Sequence, residues 1–132
     1  MDLFSTPGIA AWQQRLNSSE RFAEAAKSWS GKLLLIEKTD AGDDRTTWVV
    51  VGDGRCAEAR AGSGPDHAAA DFVLSANADT WSDLVTARTT PATAALLGRL
   101  HLLKGDVMAL IPHAKAAAEL LAAADASPPA KR

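Results

Sequence analysis

Apolar residues in the first thirty positions recur every three or four residues, which is the spacing of one helical face. Ile9, Trp12 and Leu16 predict a first helix over 7–16, with Thr6 supplying the capping hydroxyl before Pro7. Ser19 can cap a second helix. The apolar stripe of that helix consists of Phe22, Ala23, Ala26 and Trp29. Gly31 then marks the end of the helical region.

The next thirty positions change to patterns typical of strands. Two apolar runs, at 32–38 and 46–51, are separated by turn residues and predict an antiparallel pair. The segment 55–61 alternates, with Ala57, Ala59 and Ala61 on one face. Its opposite face carries Cys56, Glu58 and Arg60. Because that pattern is half polar, we expect this third strand at an edge of the sheet.

The second half of the chain alternates strands with short helices. Further strands are predicted at 71–76 and 100–104, and Gly98 is a suitable left-handed helix cap. Helical segments are predicted at 80–88, 91–97 and 107–111 and from Pro112 onward. On the last helix, Lys115 and Glu119 have the spacing of an ion pair.

Five strands and about five or six helices indicate an α+β fold, in which helices cover one face of a mostly antiparallel sheet. Other layouts of the same elements stay open from the pattern alone. We expect residues 1–126 to form a single domain and 127–132, which are rich in proline, to form a disordered tail.

Composition and charge exclude several classes of function. The hydrophobic fraction of 47% and charged fraction of 23% are those of a globular protein. A net charge of -2 without a basic run argues against nucleic-acid binding. One cysteine, no secretory leader and no long apolar stretch favour a cytoplasmic protein that does not span a membrane.

The order of several short motifs resembles the sterol carrier protein 2 family over nearly the whole chain. In the first half these are Trp29-x-Gly31-Lys32-Leu33-Leu34-Leu35 and Gly52-Asp53-Gly54. In the second half they are Asp71-Phe72-Val73-Leu74-Ser75-Ala76, Asp79-Thr80-Trp81, Thr90-Pro91, Leu96-Leu97-Gly98 and Leu100-His101-Leu102-Leu103-Lys104-Gly105-Asp106. The resemblance implies a mixed five-stranded sheet with an apolar tunnel beneath its helices. It also implies non-catalytic binding and transfer of a fatty acyl chain, phospholipid, sterol or isoprenoid, without a cofactor.

Apolar positions of the second half are the candidate ligand contacts under that resemblance, although each is also an ordinary core position. The candidates are Phe72, Leu74, Trp81, Leu84, Val85, Leu96, Leu97, Leu100, Leu102, Leu110, Ile111, Ala117, Leu120 and Leu121. Arg88, Arg99 or Lys104 is a candidate partner for an anionic headgroup at the mouth. Transient contact with a membrane surface fits this role, and the oligomeric state is left open.

Two other functions remain as alternatives. The same cavity suits an isomerase or cyclase, with Asp106, His113 or Asp53 transferring a proton. An apolar groove that receives a partner helix is the third hypothesis. His67, His101 and His113 lack the spacing of a metal site, and the strand parity of His101 points it away from Leu100 and Leu102.

Overall fold

The five strands form one sheet in the order β3-β2-β1-β4-β5 in a computed structural model, which describes residues 3–42 and 44–124. The strands are β1 (Gly31–Lys38), β2 (Arg45–Gly52), β3 (Arg55–Ala61), β4 (Phe72–Asn77) and β5 (His101–Lys104). β1 and β4 run parallel and the other neighbours antiparallel, so the sheet is mixed. The predicted α+β class is confirmed, and β3 lies at an edge as expected.

Seven α-helices lie within the described residues. They are α1 (Thr6–Ser18), α2 (Glu20–Ala25), α3 (Asp66–Ala69), α4 (Ala78–Val85), α5 (Pro91–Leu96), α6 (Val107–Leu110) and α7 (Ala114–Ala122). A 3-10 turn over Ile111–His113 joins the last two. The predicted tail, 127–132, lies outside the described residues.

Side-chain caps fix where several helices begin. Ser19 Oγ accepts from Phe22 N at 3.1 Å, as predicted for α2. The cap of α1 is Ser5 rather than Thr6, because Ser5 Oγ accepts from Gly8 N and Thr6 already belongs to the helix. At the end of α5, Gly98 has a φ of 74° and confirms the predicted left-handed position.

Two other helical predictions need correction. The apolar spacing up to Trp29 predicted a longer α2, whereas the helix ends at Ala25 and Trp29 reaches the core from a turn. The predicted pair between Lys115 and Glu119 is replaced by a tertiary one, since Glu119 Oε2 accepts from Arg21 Nη2 at 3.1 Å. The pair between Arg21 and Glu119 joins α2 to α7, a contact between distant segments that local spacing does not encode.

The predicted faces of β3 are right for residues 58–61 but wrong at Cys56 and Ala57. Val50 pairs with Glu58 but Val51 pairs with Cys56, so Ala57 is an extra residue in a β-bulge. The bulge places Cys56 and Ala59 together on the helix-covered face, where Cys56 is buried.

A small second cluster covers part of the opposite face of the sheet. Leu34, Trp48 and Val73 are buried there beneath the segment that contains α3. Arg60 lies over the Trp48 ring at 5.2 Å from its centroid. Residues 66–69 form one helical turn above this face.

Candidate functional site

A cavity of about 430 Å³ lies between the sheet and its helical layer. Every lining side chain is apolar or an indole. The lining consists of Trp29, Leu33, Leu35, Leu74, Trp81, Pro91, Ala92, Ala95, Leu96, Leu100, Leu102, Leu110, Ala114, Ala117, Leu120 and Leu121. Its volume lies within the usual range of small-molecule sites, about 300–1,000 Å³.

Strand register builds the floor of the cavity. Leu35 pairs with Leu74 across β1 and β4, and Leu74 pairs with Leu102 across β4 and β5. Since side chains directly opposite each other in a sheet share a face, three leucines from adjacent strands lie side by side beneath the helices. Leu33 extends this row by one alternation along β1.

The roof is α7, whose cavity-facing residues are small toward its start and large toward its end. Leu120 and Leu121 are buried, while Ala114 and Ala117 contribute only methyl groups. Trp12 on α1 secures this helix by donating its indole Nε1–H to Leu120 O at 2.8 Å. Small side chains in a firmly held helix leave open space that leucines would fill.

Trp81 on α4 forms a side wall of the cavity. Its Nε1–H donates to Ile36 O at 2.9 Å, which satisfies the indole while its ring faces the cavity. Phe4 packs edge-on against it at 5.7 Å between centroids. The Leu3 carbonyl next to Phe4 accepts a 2.6 Å hydrogen bond from Thr47 Oγ1, so the chain start also supports this wall.

The cavity opens beside α5. Ala92, Ala95 and Leu96 line it and are nevertheless exposed, whereas Leu33 and Leu35 at the floor are buried. Thr90 caps α5 by accepting from Thr93 N at 3.1 Å, so the rim has a defined backbone.

The structure brings most of the candidate ligand contacts together around this cavity. Those that line it are Leu74, Trp81, Leu96, Leu100, Leu102, Leu110, Ala117, Leu120 and Leu121. Leu84 and Val85 are buried in the core instead, and Phe72 packs against the core from the first position of β4. Leu97 is exposed outside the lining, and the side chain of Ile111 lies outside the described part of the chain.

Sequence reasoning missed several lining residues. These are Trp29, Leu33, Leu35, Pro91, Ala92, Ala95 and Ala114. Strand parity was a usable signal for Leu33 and Leu35, which alternate on one face of β1. For the alanines of α5 and α7, no signal in the sequence distinguishes a cavity wall from a surface or helix-packing position.

The ionisable candidates lie outside the lining. Arg99 Nη2 donates to Asp83 Oδ2 at 2.7 Å, and Lys104 Nζ donates to Ala68 O at 2.7 Å. His113 stacks on Trp29, with 5.6 Å between ring centroids, and is thus separated from the cavity by the indole. Asp106 accepts from Met108 N at 2.9 Å at the start of α6. Asp53 is exposed in the turn between β2 and β3.

His101 is exposed and pairs with Ser75, on the face opposite Leu102, as its parity predicted. Across residues 3–42 and 44–124, no three His, Cys, Asp or Glu side chains come together as a candidate metal site. Burial raises the pKa of the Cys56 thiol to about 11, which favours its protonated form. Among the helices of these same residues, none has the length and apolar character to cross a membrane.

An open sheet with a helical roof over an apolar cavity defines a class of small ligand-enclosing α+β domains. The chain belongs to the SCP-2 sterol transfer family, whose model matches residues 9–116. This places it in a family of lipid-binding and lipid-transfer domains, and confirms the resemblance found in the sequence.

Comparison with solved structures agrees with that membership. A crystal structure of sterol carrier protein 2 shares 33% identity and a TM-score of 0.82, covering 93% of this chain and 97% of that one. A possible sterol carrier protein from Thermus thermophilus shares 33% identity and a TM-score of 0.79, covering 94% of this chain and 88% of that one.

A more distant structure shares the fold. Palmitated SCP2L2 from Aedes aegypti has 17% identity and a TM-score of 0.54, covering 86% of this chain and 94% of that one. No curated protein matches the chain.

Proposed function

We propose that the protein binds one hydrophobic molecule in the cavity beneath α7 and transfers it without chemical conversion. The observation that carries the proposal is the apolar lining of a 430 Å³ space that opens beside α5. Such a site gains affinity by removing hydrocarbon from water, at about 0.8 kcal/mol for each buried methylene.

A ligand with a flexible apolar chain fits this lining. The candidate classes are a fatty acyl chain, a phospholipid, a sterol and an isoprenoid. Since the distant SCP2L2 structure is described as palmitated, palmitate is the first probe. The palmitate carboxylate would remain at the mouth of the cavity, beside the exposed residues of α5. Because water solvates the carboxylate there, it needs no polar partner in the lining.

An isomerase or cyclase needs an acid or base that reaches its substrate. His113, Asp106 and Asp53 do not line the cavity, and its described lining contains no ionisable side chain. A partner helix instead of a lipid would need a long open groove. The volume beneath the roof therefore supports a carrier better than either alternative.

Native mass spectrometry with palmitate tests this function. We expect one palmitate per chain, lost on denaturation. Ala117→Phe should weaken binding about tenfold or more, because the new ring occupies space in the cavity. Ala118→Phe is the matched control, since Ala118 is equally half-buried on α7 but does not line the cavity.

Equal binding by both variants would show that palmitate lies elsewhere on the protein. Failure of palmitate, a phospholipid, a sterol and an isoprenoid to bind the folded wild-type protein would refute the carrier function.

A further inference from the structure

The four tryptophans of the chain differ in what their indole N–H groups contact. Trp12, Trp48 and Trp81 each donate Nε1–H to an acceptor of the protein, at 2.8, 3.1 and 2.9 Å. Trp29 donates its Nε1–H to no residue among 3–42 and 44–124. Because a buried tryptophan usually has such a partner, the Trp29 donor is an exception that needs a physical reason.

The unpaired N–H of Trp29 borders the cavity. The residue is 3% exposed, and its side chain lines that space. Across the described residues, Thr39 Oγ1 is the one fully enclosed side-chain polar atom that lacks a hydrogen bond. The Trp29 nitrogen is therefore not fully enclosed by packed atoms, and the open space beside this buried side chain is the cavity.

Two contacts hold the Trp29 indole in place. His113 stacks on the ring, with 5.6 Å between centroids and 16° between the ring planes. The backbone N–H of Trp29 donates to Ala26 O at 2.9 Å, which fixes the turn that carries the side chain. A donor that is already held in this way loses little conformational freedom when it binds an acceptor.

The surroundings of this N–H restrict which acceptor suits it. A buried water is normally held by about two to four polar groups, whereas the other side chains of the lining are hydrocarbon or, in Trp81, an indole already bound to Ile36 O. A carboxylate is unsuitable because no cationic side chain of the described lining compensates its burial. A hydroxyl would satisfy Trp29 but leave its own hydrogen without an acceptor. A neutral oxygen that only accepts leaves no group unpaired.

We infer that Trp29 selects ligands that carry a ketone, ester or ether oxygen within their apolar part, by donating its indole N–H to that oxygen. The inference rests on the proposed carrier function and narrows its ligand class. Palmitate binds by burial of hydrocarbon alone and leaves the Trp29 donor unpaired. A ligand with such an oxygen recovers the missing hydrogen bond inside the cavity.

Affinity ratios measure this selection. The probes are palmitate and three keto-palmitates, with the ketone near the carboxyl end, in the middle or near the methyl end. For at least one isomer, the affinity relative to palmitate should fall about fivefold or more in Trp29→Phe, because the ketone then has no donor. The change of ring size affects both ligands and cancels in the ratio.

Trp81→Phe is the matched control, since the second indole of the cavity already donates to Ile36 O. Its loss should leave the ratio of keto-palmitate to palmitate unchanged. In the wild type, the alcohol made by reducing the best ketone should bind more weakly than the ketone, because its hydroxyl hydrogen finds no acceptor in the lining.

Nuclear magnetic resonance of the wild-type protein tests the contact without any variant that must fold. With indole-¹⁵N tryptophan, the Trp29 Nε1–H signal is assigned by its absence from Trp29→Phe. We expect the best keto-palmitate to shift this proton downfield, as a hydrogen bond does, and palmitate to leave it near its position in the free protein.

Two outcomes would overturn the role of Trp29 and leave the carrier function standing. One is palmitate binding with the same ketone ratios in wild type, Trp29→Phe and Trp81→Phe. The other is an equal response of the Trp29 Nε1–H signal to palmitate and to every keto-palmitate. If neither palmitate nor any other lipid class binds the folded protein, the carrier function fails and the selection by Trp29 fails with it.

Discussion

The carboxylate of Asp66 fixes the segment that contains α3, which covers the face of the sheet opposite the cavity. Its Oδ1 and Oδ2 accept from Arg60 Nη2 and Nη1 at 2.9 and 2.8 Å, and Oδ2 also accepts from Ser63 N at 2.7 Å. The Arg60 guanidinium is the main reason that the pKa of Asp66 falls to about 2. Because the guanidinium of Arg60 also lies over the Trp48 ring, Arg60 links the α3 segment to the second apolar cluster.

Asp66→Asn should therefore destabilise the protein in a pH-dependent way. The folded pKa lies below the ordinary value of 3.8, so the charged carboxylate stabilises the fold above about pH 4. That contribution is lost as pH falls toward 2. We expect Asp66→Asn to lower the Tm by about 4 °C at pH 7, with a smaller difference as pH falls from 4 to 2.

Thermal melts over this pH series measure the effect. Asp40→Asn provides the control because Asp40 is exposed and its substitution leaves the Asp66 contacts in place. A constant difference between wild type and Asp66→Asn at every pH would contradict the role given to the charge.

The contact between α1 and β3 shows how one element completes another. Asn17 Oδ1 accepts from Cys56 N at 2.9 Å, and Asn17 Nδ2 donates to Cys56 O at 3.1 Å. An edge strand leaves such backbone groups free to pair with another molecule. Here the amide of α1 occupies both, next to the bulge at Ala57.

Asn17→Ala should loosen this edge, and the thiol of Cys56 reports it. Cys56 is 2% exposed, and burial raises the pKa of its thiol to about 11, so the thiol should react slowly with a disulfide reagent at neutral pH. Loss of the two hydrogen bonds costs about 1 kcal/mol, which corresponds to about fivefold faster labelling through local opening.

Gln13→Ala is the matched variant for this experiment. Gln13 Nε2 donates to the same Cys56 O at a longer 3.3 Å, so its removal leaves both shorter bonds of Asn17 in place. We expect little change in labelling. Similar acceleration in both variants would mean that α1 protects the thiol by coverage alone, not through the Asn17 hydrogen bonds.

Periodicity predicted where each strand lies but not the register of β3 against β2. Alternating alanines at 57, 59 and 61 imply one face, and only the bonds from Asn17 and the pairing with β2 reveal the bulge. The apolar spacing of α2 likewise predicted that the helix reaches Trp29, whereas it ends at Ala25. Local patterns determine local structure well, whereas contacts between distant segments decide these exceptions.

At the scale of the whole molecule, an apolar pattern does not distinguish a filled core from a cavity. Leu84 and Leu120 look alike in the sequence and both are buried, yet only Leu120 lines the cavity. The difference depends on which side chains face Ala114 and Ala117 across the layers, and thus on the relative positions of α7 and the sheet. The family resemblance predicted a tunnel because it carries that arrangement as a whole.

A cavity of this kind makes ligand binding and the stability of the empty protein compete. Open apolar space forfeits dispersion contacts, so a side chain that fills it without strain stabilises the fold by about 0.5–2 kcal/mol. We therefore expect Ala117→Phe to raise the Tm of the ligand-free protein while reducing palmitate binding. In the wild type, palmitate at about 100 times its Kd should add about 2.7 kcal/mol to the free energy of unfolding.

Calorimetric melts with and without palmitate measure both effects, and Ala118→Phe should keep the ligand-induced rise in Tm. A fall in Tm for ligand-free Ala117→Phe together with full palmitate stabilisation would mean that Ala117 borders tightly packed core and that the ligand occupies another site. We expect Ala117→Phe to raise the Tm of the ligand-free protein and to reduce the rise in Tm caused by palmitate. The reason is that the same unfilled space destabilises the empty protein and accommodates the ligand.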